Sequence, residues 1–279
     1  TADEIRRAFA AIRTGKTAQQ VKTGPHGLAR VTGGDGAARM CVRLLKTVYS
    51  WAMQEGILKE NPATGVKVGK DGQRDLVLAA DDYPVLFKSI DELESVHRVS
   101  RSAAGAIRLI ALTGARRGEI AGLRWRHVDL KKGIVELPEH KTGKKTGEVR
   151  IIGLPAAAQA IIARQPDGGP DDFVFPPAKG KGPLSLSKPW RVIREAAGLD
   201  SQIGLHGLRH SLATIMAISG AQAAQIMAVM GHRDISTSQK YIHIAQDIRS
   251  ELAEQAASGI SAALTGKKPA EVVTIGSTN

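Results

Sequence analysis

Four stretches of this 279-residue chain carry side chains whose types and spacing could act on a phosphate. The first is Thr113-Gly-Ala-Arg116-Arg-Gly-Glu119, in which a guanidinium and a carboxylate lie three residues apart and share a face if the segment is helical, so the acid could orient the arginine. The second is His140-Lys141-Thr-Gly-Lys144-Lys145, a turn whose lysines could deliver an ammonium to a phosphate or a leaving oxygen. In His206-Gly-Leu-Arg209-His210, a histidine and an arginine sit one turn apart at an expected helix start, where backbone N–H groups favour anions. Arginine is a bidentate donor to phosphate and histidine a proton carrier; His210 reads as structural. The fourth, Met230-Gly-His232-Arg-Asp-Ile-Ser-Thr-Ser-Gln-Lys-Tyr241-Ile-His243, brings a tyrosine after a Ser/Thr-rich turn onto an expected short helix.

Each stretch alone has a plainer reading: a surface ion pair worth little, solvated turn lysines, a capping or core histidine, a packing tyrosine. Together they supply what transesterification at a phosphodiester needs. Fixed cations meet the charge on the nonbridging oxygens. An acid protonates the leaving 5′-oxygen. A phenol serves as nucleophile because its phosphodiester conserves bond energy for rejoining. Chemistry of this kind requires no metal and no cofactor, and the sequence holds no carboxylate cluster, Cys/His zinc spacing or P-loop.

The elements that must position these residues are mostly helices. Periodicity predicts helices over Asp3–Ile12 and Ala37–Leu58, the latter through Met40, Leu44, Leu45, Val48, Tyr49 and Ala52 and ended by Asn61-Pro62. Residues 21–36, rich in Gly, Thr and basic residues, read as a loop. Lys67–Arg74 (KVGKDGQR) reads as a domain boundary. Beyond it come helices near Asp81–Ile90, with Asp81 as cap, and over Ala103–Leu112; Thr113-Gly114 breaks the pattern and a helix resumes through Leu123. Ile134–Leu137 and Val149–Leu154 read as the strands of a β-hairpin whose turn holds the lysines. The rest is mostly helical, interrupted from Gln165 to Pro189, with a tail from Lys267 to Asn279.

Charge points the same way. The chain has 39 Lys and Arg against 27 Asp and Glu, a net +12. Thirteen basic against seven acidic residues fall within residues 1–75, so half of the excess sits in about a quarter of the chain. Such a balance suits a polyanion, because Lys and Arg release counterions from phosphates. The single cysteine, Cys41, excludes an internal disulfide and fits a reducing compartment. The longest uncharged stretch, Ser211–Met230, is broken by Ser219-Gly220 and carries two glutamines, so it reads as two buried helices rather than a membrane span. The chain begins without Met inside an expected helix, with no visible signal peptide, which implies an upstream segment outside this sequence.

The string TGARRGEIAGLRWRHVD resembles the first-arginine motif of the tyrosine recombinases, the phage-type integrase family. HGLRH resembles their His-x-x-Arg motif, and MGHRDISTSQKYIH their closing Gly-His … Tyr motif. RLLKTVYSWAMQEGILKENPATGV is similar to the end of the helical core-binding domain of phage- and island-type integrases, so the resemblance runs from about Ala37 onward. It implies a mainly α fold with a small antiparallel β-sheet: a helical core-site DNA-binding domain over residues 1–70, and over residues 71–279 a catalytic domain of the DNA breaking-rejoining fold. In this family the two form a C-shaped clamp on DNA.

By the same resemblance, Arg116 and Arg209 would hold the nonbridging oxygens and Lys141 would protonate the 5′-oxygen, with Lys144 as the alternative. His206 would accept the proton of Tyr241 or hydrogen-bond it, His232 would donate to the phosphate, and Glu119 would be the supporting acid beside the site. Tyr241 would attack, leaving a 3′-phosphotyrosyl link and a free 5′-hydroxyl. The implied partners are double-stranded DNA, three further copies in a homotetramer on paired sites, and a directionality factor, with no membrane and a cytoplasmic, nucleoid-associated location. The segment Ile248–Leu264, with apolar Ile248, Leu252, Ile260 and Leu264, would dock on a neighbouring protomer or pack on its own domain. The upstream helix leans toward a mobile-element integrase rather than a chromosome-dimer resolvase. A type IB topoisomerase and a non-catalytic DNA-binding regulator are the competing readings.

Overall fold

The structure is a computed structural model that describes residues 1–25, 27–69, 77–138 and 149–264, without the side chains of 252, 255, 259 and 261–264. Most of the expected boundary (70–74), the turn with Lys141 and Lys144, and the tail from Lys267 lie outside the described residues, as do the side chains of Leu252 and Leu264. The chain divides into two compact units, Thr1–Asp75 and Leu76–Asn279.

In the first unit, helix α1 (Ala2–Arg13) starts at a capping box, with the Thr1 hydroxyl accepting from the Glu4 amide while Glu4 reaches back to the chain start. It packs on α2 (Asp35–Gln54) through Ile5 and Val42, with Ala63 and Val66 closing the small core. Of the apolar positions that define the α2 periodicity, Ala52 is buried and Leu45 and Tyr49 pack on that core. Met40, Leu44 and Val48 are exposed. The expected loop before α2 holds an antiparallel hairpin, β1 (Gln19–Lys22) with β2 (Leu28–Val31), in which Gln19 pairs with Val31 and Lys22 with Leu28. Its strands are almost wholly exposed, so no buried face imposes the apolar alternation by which a strand is read.

The second unit is built on α4 (Arg101–Thr113), whose residues from Ala103 to Ala111 are all buried. Its small and apolar side chains occupy every face, as a helix needs when neighbours surround it. Ser100 caps its start by accepting from the Ala103 amide at 3.2 Å. Arg108, buried within it, is neutralised by Asp91 and Glu94 of α3 (Asp82–Ser95). Asp81 stands at the N-cap of α3 but its side chain accepts no capping hydrogen bond; Asp82 instead accepts from the Ala79 amide at 2.8 Å. The expected continuation to Leu123 is the five-residue α5 (Arg117–Ala121).

A three-stranded antiparallel sheet follows in the order β3 (Val128–Asp129), β4 (Ile134–Leu137), β5 (Arg150–Gly153), with Leu137 opposite Arg150 and Ile134 opposite Gly153. The chain then runs through α6 (Ala156–Ala163), α7 (Ser187–Ala196), α8 (Leu205–Ile218), α9 (Ala223–Met230) and the 30-residue α10 (Ile235–Leu264). The expected pair of helices in Ser211–Met230 is present as the end of α8 and the whole of α9. Helix α10 packs on α8 and α9 and is tied to α8 by Arg249, which donates to the carbonyls of Ala217 and Ile218. Among the described residues, no helix is long and apolar enough to cross a membrane.

Left-handed glycines stand at the helix ends that precede the site residues Arg116 and His232. Gly114 (φ +62°) closes α4 and Gly231 (φ +62°) closes α9. A Cβ at Gly114 would lie 2.7 Å from Met230 Cε and 3.1 Å from Leu212 Cδ2. The Gly114→Ala variant should therefore lose roughly 1–2 kcal/mol from the left-handed backbone alone, and more where Met230 must move. Urea unfolding should show a lower midpoint at an unchanged slope.

Candidate active site

Arg116 and Glu119 meet at the start of α5. Arg116 is the N-cap residue rather than a residue inside a helix, and Glu119 folds back on it, accepting from the Arg116 amide at 2.8 Å and from its Nη1 at 2.7 Å. The other end of the guanidinium, Nη2, donates to the Gly231 carbonyl at 2.8 Å. The Glu119 side chain is only 8% exposed, so the pair is shielded and oriented. Three of the five guanidinium donors are left for a ligand.

Arg209, on the second turn of α8, is 3% exposed. It donates through Nη1 to the carbonyl of Gly114 and through Nη2 to that of Met230. Burial and the nearby Arg116 lower its pKa to about 10, which leaves it charged at neutral pH. The two arginines thus reach the last carbonyls of α4 and α9, and those glycine-capped ends bring them together.

His206, at the first turn of α8, lines a cavity of about 940 Å³ with Arg116, Glu119, His127 and Trp190. Burial, then Arg209 and Arg116, hold its pKa below the ordinary histidine value. His232 follows the Gly231 cap; its Nδ1 lies 2.7 Å from the Ser238 hydroxyl on α10. Burial, then Arg209, Arg116, His210 and Arg150, push its pKa down to about 4. Both imidazoles are therefore neutral at neutral pH and can accept or relay a proton.

Tyr241 lies in α10, 5% exposed, among Ala213, Ala217, Ile226, Met230 and Ala245. Burial raises its pKa and Arg209 opposes the rise. Its ring stacks near-parallel on His232 at 6.0 Å between centroids. Its hydroxyl lies 2.5 Å from Nδ1 of His210, the residue that reads as structural in the sequence. The resemblance assigned this contact to His206, which instead stands edge-on to the His210 ring at 4.4 Å. The difference is one helical turn: His206 and His210 are four residues apart on one face of α8, and the latter is the one level with Tyr241.

Arg116, Glu119, His206, Arg209, His232 and Tyr241 are thus gathered around the ends of α4, α8 and α9, whereas Lys141 and Lys144 lie outside the described residues. Sequence reading takes His210 as structural and passes over Ser238 and Arg150. Arg150 left no clear signal: it is buried on the same face of β5 as Ile152, but Val149 and Ile151 make the exposed face equally apolar in sequence. Among the described residues, no group of His, Cys, Asp or Glu could hold a metal ion.

The sequence matches the Phage integrase family over residues 77–247. It is 27% identical over 214 residues to the tyrosine recombinase XerC of Lactobacillus delbrueckii subsp. bulgaricus, covering 72% of this chain and 69% of that protein. It is 30% identical over 225 residues to XerC of Escherichia coli O1:K1 / APEC, covering 76% and 71%. Among solved structures, a lambda integrase (75-356) dimer bound to a COC′ core site superposes with a TM-score of 0.62 at 20% identity, covering 86% of this chain and 79% of that one. An integrase of the Tn1549 transposon in complex with a circular-intermediate DNA gives 0.61 at 17%, covering 85% and 80%. The mainly helical fold with small antiparallel sheets is shared with these structures. The chain belongs to the phage integrase family, the tyrosine recombinases. Its enzymatic class is that of the tyrosine-type site-specific recombinases.

The histidine shifts have a measurable consequence. An imidazole with a pKa near 6.5 unfolded and about 4 folded contributes no penalty above 6.5. As pH falls from 6.5 toward 4, the unfolded chain takes up a proton that the folded one refuses, and stability is lost. The melting temperature should fall across that window, and less steeply in His232→Gln, as followed by thermal denaturation at several pH values.

Proposed function

We propose that this protein cuts and rejoins double-stranded DNA at specific sites through a 3′-phosphotyrosyl intermediate on Tyr241. The observation that carries the reading is the convergence of the Tyr241 hydroxyl, two arginines and three histidines in one cluster, with Tyr241 and Arg209 buried and His206 at its exposed edge. Arg116 and Arg209 bind the nonbridging oxygens of the scissile phosphate, where charge grows in the transition state. The Tyr241 oxygen attacks phosphorus and the bond to the 5′-oxygen breaks. The phenolic proton passes to His210, which already touches it, with His206 next to that ring. Lys141 protonates the departing 5′-oxygen, and His232 donates to the phosphate. A 5′-hydroxyl from the partner duplex reverses the sequence of events.

The DNA partner is supported by the net charge of +12 and by the similarity to the transposon integrase solved in complex with a circular-intermediate DNA. The substrate we assign is a mobile element that the enzyme integrates or excises, acting in the cytoplasm on the nucleoid, as a homotetramer on paired sites and with a directionality factor. In favour of this are the integrase-like segment from Arg43 to Val66 and the similarity to a transposon integrase. Residues 1–70 serve as the core-site DNA-binding domain.

Covalent capture tests the reading. Sheared DNA from the source genome is incubated with the protein, denatured adducts are collected, and the trapped ends are sequenced. One discrete site and no adduct from Tyr241→Phe are expected. Relaxation of any supercoiled plasmid by the monomer would make the protein a topoisomerase instead, and site-specific binding without an adduct a regulator. His210→Ala should slow adduct formation about 100-fold or more, as loss of a proton acceptor does, with DNA binding retained; an unchanged rate would return that role to His206.

A further inference from the structure

Arg150 is buried in a way that packing does not explain. It is the first residue of β5, 6% exposed, on the face of the strand that also buries Ile152. Its chemistry differs from that of the buried Arg108 of α4, which meets two carboxylates. Among the described residues no carboxylate pairs with Arg150. Its Nη1 donates to the carbonyls of Ile151 at 2.8 Å and Ala228 at 3.3 Å, and its Nη2 to Val229 at 2.7 Å. Nε has no partner among the described residues. An unpaired guanidinium on the core side of a strand is costly, so its replacement by an apolar residue would be tolerated unless the charge has a use.

The use is visible in what it holds. Ala228 and Val229 belong to the last turn of α9, whose carbonyls lack helical partners and carry partial negative charge. The next two carbonyls, Met230 and Gly231, accept from Arg209 and Arg116. Four successive carbonyls thus serve three guanidinium groups, one from the sheet and two from the proposed phosphate site. The Gly231 cap lies against Arg150: a Cβ there would sit 2.5 Å from its Cζ. The residue after that cap is His232.

We infer that Arg150 is a positioning residue: by clamping the carboxyl end of α9 to β5, it sets the place of Arg116, Arg209 and His232 for strand cleavage. It does not touch DNA itself, since it is buried beneath the cap. The inference rests on the recombinase reading and goes beyond it by assigning a function to a residue outside the family-like motifs.

The test uses the full chain and a nicked duplex carrying the site recovered by sequencing DNA trapped on Tyr241. Single-turnover adduct formation, duplex affinity and the thermal transition are measured for wild type, Arg150→Met and Arg150→Lys. Arg150→Met should keep its affinity within about threefold and lose about 100-fold in the rate of adduct formation, the scale of a small misplacement of reacting groups. Arg150→Lys, which keeps the charge but not the fork, should recover part of that rate. A wild-type rate in Arg150→Met would overturn the inference, as would parallel losses of affinity and rate, or loss of the folded transition in both variants. If wild-type protein itself forms no adduct, the recombinase reading fails instead, and the two failures are distinct.

Discussion

The second unit depends on a single constraint: the carboxyl end of α9 must be supplied with donors. Every α-helix ends in carbonyls without intrahelical partners, and burial makes them expensive to leave so. Here the donors are guanidinium groups from three separate elements: Arg150 on β5, Arg209 on α8 and Arg116 ahead of α5. The helix end needs them for its hydrogen bonds, and they need it as a fixed acceptor that does not neutralise their charge. Carboxylates in the same places would anchor the arginines too, but would compete with a phosphate for them. A backbone anchor keeps the positive potential and fixes the geometry.

That potential explains the state of the neighbouring groups. His206 and His232 are held neutral by burial and by the arginines beside them, and Arg209 works against the burial that raises the Tyr241 pKa. Glu119 is the one acid hydrogen-bonded to these arginines among the described residues, and it sits behind Arg116, shielded from solvent. The arrangement is that of a site prepared for an anion, with proton acceptors beside a phenol and cations beside the place where negative charge would grow.

Much of this was legible in the sequence because it rests on local chemistry. Gly114 and Gly231 mark helix ends, the Ile134–Leu137 strand shows period-two apolar spacing, and the three motifs state their residues outright. What was not legible depends on tertiary context. The β1–β2 hairpin has no buried face to leave a pattern. Asp81 occupies a cap position without capping, because Pro84, three residues on, has no amide to offer and the Tyr83 amide donates to the Ala80 carbonyl. The choice between His206 and His210 is set by how far along α8 the tyrosine's helix crosses, and neither local sequence contains that offset. The inward position of Arg150 was hidden because Val149 and Ile151 make the outward face equally apolar, and its acceptors on α9 lie some 80 residues away in sequence.

The tyrosine's seat in α10 has a mechanical meaning. A nucleophile on a loop can be swung into place by backbone torsions, whereas Tyr241 sits within a helix that is fastened on either side of it. On the N-terminal side Ser238 is bonded to His232, and two turns beyond the tyrosine Arg249 grips the end of α8. Within that frame the hydroxyl has only its own two side-chain torsions to travel on, and any longer stroke must carry the helix with it. The helix bearing Tyr241 is therefore a lever whose far arm runs on to Leu264, so a force applied to that arm is felt at the nucleophile.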